Sequence, residues 1–318
     1  MRARIYKSDK RQFECKVEST GEMVKANAIG NLLKKGETLV VGDWVGLETI
    51  SETNELMITS LEERESEIFR IIVREQRKKV TASNCDLLII LTSVSKPKFK
   101  RGFIDRFLAR ASQWGIRPIV VFNKMDEFDD DFDIKFEEKR LESLGAKCFE
   151  ISALKPDYQP QYLKRGYEEL KQEIHNRTSI FLGQSGVGKS ETINTLSNGT
   201  YKLKTNEIAR VGKGSHTTTW SEIIDLDGFY TIDSPGIRSF SLEDVAPDEL
   251  ISLFPDLEEI ASDCKFSNCE HQEDSKGCVF WTKYAPDSEE GELVHSRLDS
   301  YLRIHEEVSA FPFWQRKY

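Results

Sequence analysis

The chain has 318 residues, 38% hydrophobic and 31% charged, a mix that excludes a disordered chain and leaves room for two or three domains. No apolar run approaches the ~18 residues of a membrane span, and no apolar signal core follows Met1-Arg2-Ala3-Arg4-Ile5-Tyr6, so a cytoplasmic protein without a membrane partner is expected. The net charge is −9, which excludes an overall basic nucleic-acid footprint.

Residues 1–72 read as short strands. Arg4-Ile5-Tyr6, Gln12 to Val17 and Thr38-Leu39-Val40-Val41 are separated by turn residues, and Gly42-Asp43 leads into the alternating strand Trp44-Val45-Gly46-Leu47-Glu48. Several short strands in so short a span suggest a small β-barrel, with an OB-fold as the expectation. From there to residue 245 the pattern is α/β. Leu87 to Leu91 is a continuous apolar run, as a strand buried on both faces requires, and Pro118 to Phe122, Lys147 to Ile151 and Ser179 to Leu182 read as a second, third and fourth strand. Residues 103–114 between the first two are helical in pattern, so a mostly parallel sheet with helices on both faces is expected. Residues 246–318 carry 7 Lys and Arg against 16 Asp and Glu and read as a helical domain. Val294, Leu298, Tyr301, Leu302 and Val308 form an apolar stripe there, which is ordinary core packing. RNA contacts would have to come from local patches such as Arg74, Arg77, Lys78 and Lys79, or Lys96, Lys98, Lys100 and Arg101. Such runs are more often solvated faces.

The strongest motif is Gly183-Gln184-Ser185-Gly186-Val187-Gly188-Lys189-Ser190, which follows an apolar strand as a phosphate-binding loop does. Glycines let backbone N–H groups curl around an anion, and the helix that follows points its positive end at the phosphates. Lys189 is expected on the β/γ-phosphates and the Ser190 hydroxyl on Mg²⁺. The base comes from Asn123-Lys124-Met125-Asp126, directly after a buried strand. Asp126 can accept from guanine N1–H and the 2-amino group, a pair that adenine lacks. Asn123 can buttress the loop, and the Lys124 stem can lie against the purine. Ser152-Ala153, after the next strand, can offer N–H groups to guanine O6.

Asp233-Ser234-Pro235-Gly236 ends the strand Phe229 to Ile232. Asp233 can hold Mg²⁺ and the Gly236 N–H can reach a γ-phosphate. Between this motif and the phosphate loop lies Gly214 to Thr219, where Thr217 or Thr218 can close over Mg²⁺ as a switch. Ile237 stands where Ras-like enzymes place a water-orienting Gln, so hydrolysis should be slow or use another group. His216 is the candidate, against its plainer reading as an exposed loop histidine.

The guanine motif precedes the phosphate loop, the reverse of the usual order. A sheet tolerates this if formerly adjacent termini have been joined, and residues 155–178, polar and helical in pattern, are the candidate join. The switch then runs straight into the C-terminal region.

Cys264, Cys269, His271 and Cys278 form C-x₄-C-x-H-x₆-C, which suits one tetrahedral, structural Zn²⁺. His175, His295 and His305 have no such company. The other cysteines do not suggest a disulfide framework.

With these residues the chain resembles the ribosome small subunit-dependent GTPase A (RsgA/YjeQ) family of bacteria, circularly permuted GTPases. Further matches are Val41-Gly42-Asp43-Trp44-Val45, Ala82 to Asp86, Ile104 to Leu108, His216 to Thr219 and Asp233 to Arg238. The resemblance covers nearly the whole chain. It implies an OB-fold domain that binds ribosomal RNA (1–72), a permuted GTPase domain (73–245) and a zinc-bearing helical domain (246–318). It also implies GTP hydrolysis that is slow alone and stimulated by the small ribosomal subunit, in late maturation of that subunit. A monomer is expected. The competing reading is a GTP-sensing RNA-binding module with incidental turnover. An ATPase or kinase on the same loop is disfavoured by Asp126.

Overall fold

A computed structural model describes residues 1–9, 12–29, 38–50, 54–72, 75, 77–128, 131–202, 221–233 and 242–310. Five strands open the chain: β1 (Arg2–Asp9), β2 (Gln12–Val17), β3 (Met23–Ala28), β4 (Trp44–Thr49) and β5 (Leu56–Leu61). They pair in the order β1-β2-β3-β5-β4, and β4 closes back on β1. This is the expected closed OB-type barrel, and closure removes free edges. Its interior holds alternate residues of each strand, such as Phe13, Cys15 and Val17 of β2 and Val45 and Leu47 of β4. Strands β3 and β5 lack clean alternation and were not expected from the sequence.

The Thr38–Val41 strand is corrected by the structure. Only Val41 makes a β-bridge, to Ala82. The preceding amide, Val40 N, donates instead to the Asp43 carboxylate at 2.8 Å, so the apolar run is spent on a turn rather than a ladder. Asp43 is fully buried. It also accepts from Arg64 Nε at 2.7 Å, Arg64 Nη2 at 2.9 Å and Ser83 Oγ at 2.6 Å. A buried charge needs this set of partners. Gly42 has φ +95°, and a Cβ there would lie 1.9 Å from the Ser83 carbonyl oxygen, so only glycine fits. The Gly42-Asp43 motif is thus the joint between barrel and GTPase domain. Arg4 reinforces it by donating to Thr178 Oγ1 and the Asn84 carbonyl.

Strands β6 (Glu67–Ile72) and β7 (Arg77–Ser83) form a separate antiparallel hairpin, and the 72/73 boundary expected from sequence falls at the end of β6. The central sheet then contains β8 (Leu87–Ser93), β9 (Arg117–Asn123), β10 (Lys147–Glu150), β11 (Thr178–Gly183), β12 (Glu222–Asp225) and β13 (Tyr230–Asp233). Its order is β10-β9-β8-β11-β13-β12. The first five are parallel and β12 is antiparallel. Strands β8 and β11 are buried at every position, as the continuous apolar runs require.

Helices α1 (Arg101–Trp114), α2 (Ile134–Ser143), α3 (Tyr167–Ile174) and α4 (Lys189–Leu196) cover the sheet. Successive residues of β8 point to opposite faces. Leu88 and Ile90 pack with Phe107 of α1 and Leu141 of α2. Leu87, Ile89 and Leu91 pack with Leu170 of α3 and Ile193 of α4. The join expected to be helical over 155–178 is helical only over α3. Residues 155–166 are turns and irregular chain, since Pro156 and Pro160 interrupt any helix there.

The C-terminal domain has a 3₁₀ helix (Pro247–Leu253) and helices α5 (Pro255–Ala261), α6 (Val279–Thr282) and α7 (Glu289–Ser309). Ser288 caps α7 by accepting from the Gly291 N–H. Leu298, Tyr301 and Val308 of the expected stripe are buried with Leu250, Phe254, Leu257 and Phe280, and Val294 and Leu302 pack at its margin. Asp105 of α1, fully buried, meets Arg140 of α2 and Arg297 of α7, each at 2.8 Å, and so locks this domain to the sheet. Among the described residues no helix is long and apolar enough to cross a membrane.

Candidate nucleotide site and metal centre

Strands β8, β9 and β10 run outward to one edge of the sheet, and β11 returns to the other side of β8. Loops at the carboxyl ends of strands around such a reversal form a crevice. A cavity of about 590 Å³ opens there, lined by Asn123, Lys124, Asp126, Ser152, Ala153 and the loop from Ser185 to Lys189 and Ser190. The guanine motif and the phosphate loop therefore meet around one cavity despite their inverted order.

The phosphate loop turns on glycines. Gly186 and Gly188 have φ +85° and +92°, and a Cβ on Gly188 would come within 2.4 Å of Asn123 Nδ2. Lys189, the first residue of α4, folds back and donates to the carbonyls of Gly183 at 2.8 Å and Gln184 at 3.2 Å. Burial holds its ammonium below the ordinary lysine value. An anion in the loop would offset the hydration that burial removes. Gln184 and Val187 shape the loop, and Ser190 is exposed at its end.

Asn123 is the tie between motifs. It is buried, its Nδ2 donates to the Val187 carbonyl at 2.8 Å, and its Oδ1 accepts from Ala153 N–H at 2.9 Å. One amide thus joins the phosphate loop to both guanine loops. The Asn123→Ala chain should bind GDP about 10- to 100-fold more weakly while keeping its fold. Fluorescent-GDP titration reads this, and unchanged affinity would refute the tie.

Lys124 takes a left-handed conformation, φ +64°, and its Nζ donates to the Lys96 carbonyl at 2.5 Å. This lays its stem along the cavity. Met125 is buried, and its N–H donates to the Ile151 carbonyl, which fixes the turn that presents Asp126. The Asp126 carboxylate accepts from Ser152 Oγ at 2.5 Å and faces Lys155 Nζ at 2.9 Å. Burial opposes its ionisation, but the Ser152 hydroxyl and Lys155 ammonium outweigh burial and hold it below the usual carboxylate range. An ionised carboxylate is an acceptor only, as two guanine donors demand. Ala153 also accepts from Thr195 Oγ1 of α4 through its carbonyl.

Sequence reasoning missed Leu154, Glu127 and Glu191 around the cavity and Lys155 beside Asp126. Leu154 is 79% exposed, and no spacing rule marks either it or Lys155. Asp233 ends β13, whose parallel register with β11 pairs Thr231 with Ser179. That register carries Asp233 toward the edge where the phosphate loop lies. His216, Thr217, Thr218 and Gly236, with Ser215, Ile237 and Arg74, lie outside the described residues.

The four expected metal ligands converge. The ligand atoms of Cys264, Cys269, His271 and Cys278 all lie within 4.8 Å of one another. His271 Nδ1 is 3.7 Å from Cys264 Sγ and 3.8 Å from Cys278 Sγ. A tetrahedral ion with metal–sulfur bonds of ~2.3 Å needs edges of about 3.8 Å, so the set can hold a metal. His271 has φ +58°, and its carbonyl accepts from Trp281 Nε1 at 3.0 Å, which pins the backbone that aims the ring. Burial pushes the Cys278 thiol up to about 12 and holds His271 below its ordinary value. His295 instead meets the Tyr284 carbonyl, and His305 lies beside Tyr301.

A model of the RsgA GTPase family matches residues 61–243. The chain belongs to the RsgA GTPase family. Curated relatives carry the name small ribosomal subunit biogenesis GTPase RsgA, two of them as follows. One, from Flavobacterium psychrophilum, is 33% identical over 95% of this chain and 91% of its own. The other, from Streptococcus pneumoniae, is 31% identical over 92% of this chain and 90% of its own. Among solved structures, YjeQ from Thermotoga maritima superposes with a TM-score of 0.73 and 26% identity, covering 98% of this chain and 99% of that one. YloQ, described as a circularly permuted GTPase, superposes with a TM-score of 0.70 and 23% identity over 98% and 96%. Membership in the RsgA GTPase family makes this chain a GTP-hydrolysing enzyme with the permuted fold read from its motif order.

Proposed function

We infer that this GTPase acts on the small ribosomal subunit late in its maturation, hydrolysing GTP to GDP slowly alone and faster when the subunit is bound. The observation that carries the nucleotide half is the single cavity shared by Asp126 and Lys189. The ribosomal half is supported by the names of the curated relatives, small ribosomal subunit biogenesis GTPase. Contact with ribosomal RNA falls to the barrel and to local basic patches, because the chain as a whole is acidic. We place the protein in the cytoplasm as a monomer, with domains 1–72, 73–245 and 246–318.

GTP is held by Asn123, Lys124, Met125, Asp126, Ser152 and Ala153 at the base. Gly183 to Ser190 and Gly236 hold it at the phosphates. Ser190, Asp233 and Thr217 or Thr218 offer the hard oxygens that suit Mg²⁺, which when bound neutralises charge developing on the phosphates. His216 is the group proposed to orient water in place of Gln. Cys264, Cys269, His271 and Cys278 would hold one structural Zn²⁺, since three sulfurs and one imidazole favour that ion and would leave no open position.

The deciding assay is GTP turnover with and without purified small subunits. The expected result is a stimulation of at least about tenfold, lost in the His216→Ala chain. A turnover rate indifferent to subunits would leave a GTP-sensing binding module as the better account.

A further inference from the structure

Residues 155–166, the chain that joins the two halves of the permuted domain, form neither helix nor strand. Glu150, the last residue of β10, nevertheless holds them. It is fully buried, and its carboxylate accepts from Tyr158 O–H at 2.6 Å and from the N–H groups of Gln161, Tyr162 and Leu163 at 2.9, 2.8 and 2.6 Å. Four donors on one buried carboxylate satisfy its charge. The Glu150 N–H donates to the Arg165 carbonyl at 2.8 Å, so both its backbone and its side chain hold the segment.

The same segment touches the guanine loop twice. The Tyr162 ring lies 4.3 Å from Phe128, two residues beyond Asp126. Lys155, held in a turn by its N–H on the Ser152 carbonyl at 2.9 Å, places Nζ 2.9 Å from Asp126 Oδ2. We propose that residues 155–163 are a strap that positions Asp126 for guanine, with Glu150 as its anchor and Lys155 as its contact. This rests on the GTP-site reading above.

An ionised carboxylate has about four lone-pair directions. Ser152 takes one on Oδ1 and Lys155 one on Oδ2. Each oxygen thus has one side-chain partner, and the Asp126 N–H also reaches the carboxylate, which leaves acceptor capacity toward the two donors on the Watson–Crick edge of guanine. The strap therefore sets the orientation of the group that selects the base, and Lys155 and Glu150 are positioning residues. A plain surface ion pair is the competing description of Lys155, whose side chain is 60% exposed, and such pairs contribute little. The buried anchor of the strap argues against it.

The test uses the full chain and three probes: GDP, GTP and inorganic tripolyphosphate, the last reporting on the phosphate loop alone. Lys155→Ala should raise Kd for GDP and GTP alike by about fivefold. It should raise KM, leave kcat at saturating GTP and tripolyphosphate binding unchanged, and be rescued in part by Lys155→Arg. Glu150→Gln should remove amide-exchange protection from 156–163 and weaken GDP binding together, again sparing tripolyphosphate. Unchanged or tighter GDP binding in Lys155→Ala overturns the strap, as does a Glu150→Gln chain that loses protection but keeps GDP affinity. A wild-type chain that bound tripolyphosphate but no GDP would sink the guanine-site reading itself.

Discussion

Replacing Asp126 with Asn is expected to weaken GTP binding by about 100-fold or more, and to let xanthosine triphosphate bind in its place. Guanine presents two donors, N1–H and the 2-amino group, to the two oxygens of Asp126. An amide keeps one acceptor and puts a donor where the second was, and a lost hydrogen bond to a charged group is worth about 1.5–3 kcal/mol. Xanthine carries an oxygen at position 2, so the amide N–H meets an acceptor there. The surroundings favour one amide orientation. The Ser152 hydroxyl on one side can turn to accept, whereas the Lys155 ammonium on the other has only donors. The amide oxygen should face Lys155 and the nitrogen Ser152. Competition between labelled GDP and unlabelled xanthosine diphosphate measures the exchange. A mutant that kept its guanine preference would remove Asp126 from the base contact.

Removing the metal, or one ligand through Cys278→Ser, should unfold the loop over 262–278 and lower the stability of the C-terminal domain by about 3 kcal/mol or more. That loop contains no helix or strand and is held by turns and a few backbone hydrogen bonds, so its order leans on its ligands. Cys278 is fully buried at the start of α6, and its neighbours Phe280 and Tyr301 belong to the domain core. Loss of the ion therefore reaches the core directly. Burial pushes the Cys264 and Cys278 thiols upward, so these two are neutral at pH 7 without metal and binding must release their protons. Affinity should fall as pH falls. Metal analysis should find one zinc per chain. Limited proteolysis with and without a strong chelator should show new cleavage within 262–278. A chain equally resistant in both conditions would refute a structural metal.

Much of this architecture was legible because its signals are local. A phosphate loop needs glycines, a lysine and a hydroxyl in consecutive positions, since backbone N–H groups do the binding. A buried parallel strand needs an unbroken apolar run, and β8, β9 and β11 each contain one. The four candidate metal ligands lie within fifteen residues of one another. The α7 stripe follows from helical periodicity alone, although Ile304 completes it.

Other elements were silent for physical reasons. Strand β3 exposes polar residues on a barrel surface, so its Met23 to Ala28 sequence carries little alternation. The apolar Thr38–Val41 run mimics a strand, but its burial comes from packing under the Asp43 joint. Asp105, Arg140 and Arg297 are scattered over the chain and become a buried cluster only when three helices meet.

From its own letters, then, the chain declared its motifs: which loops carry the patterns for phosphate and guanine, which side chains could hold a metal, and that the motif order is inverted. Only the folded sheet decided that these loops share one cavity, because the return of β11 to the far side of β8 brings together residues some sixty positions apart. The same is true of Lys155 and Glu150. Their roles arise from hydrogen bonds across turns with no fixed sequence spacing, so packing had to assign them.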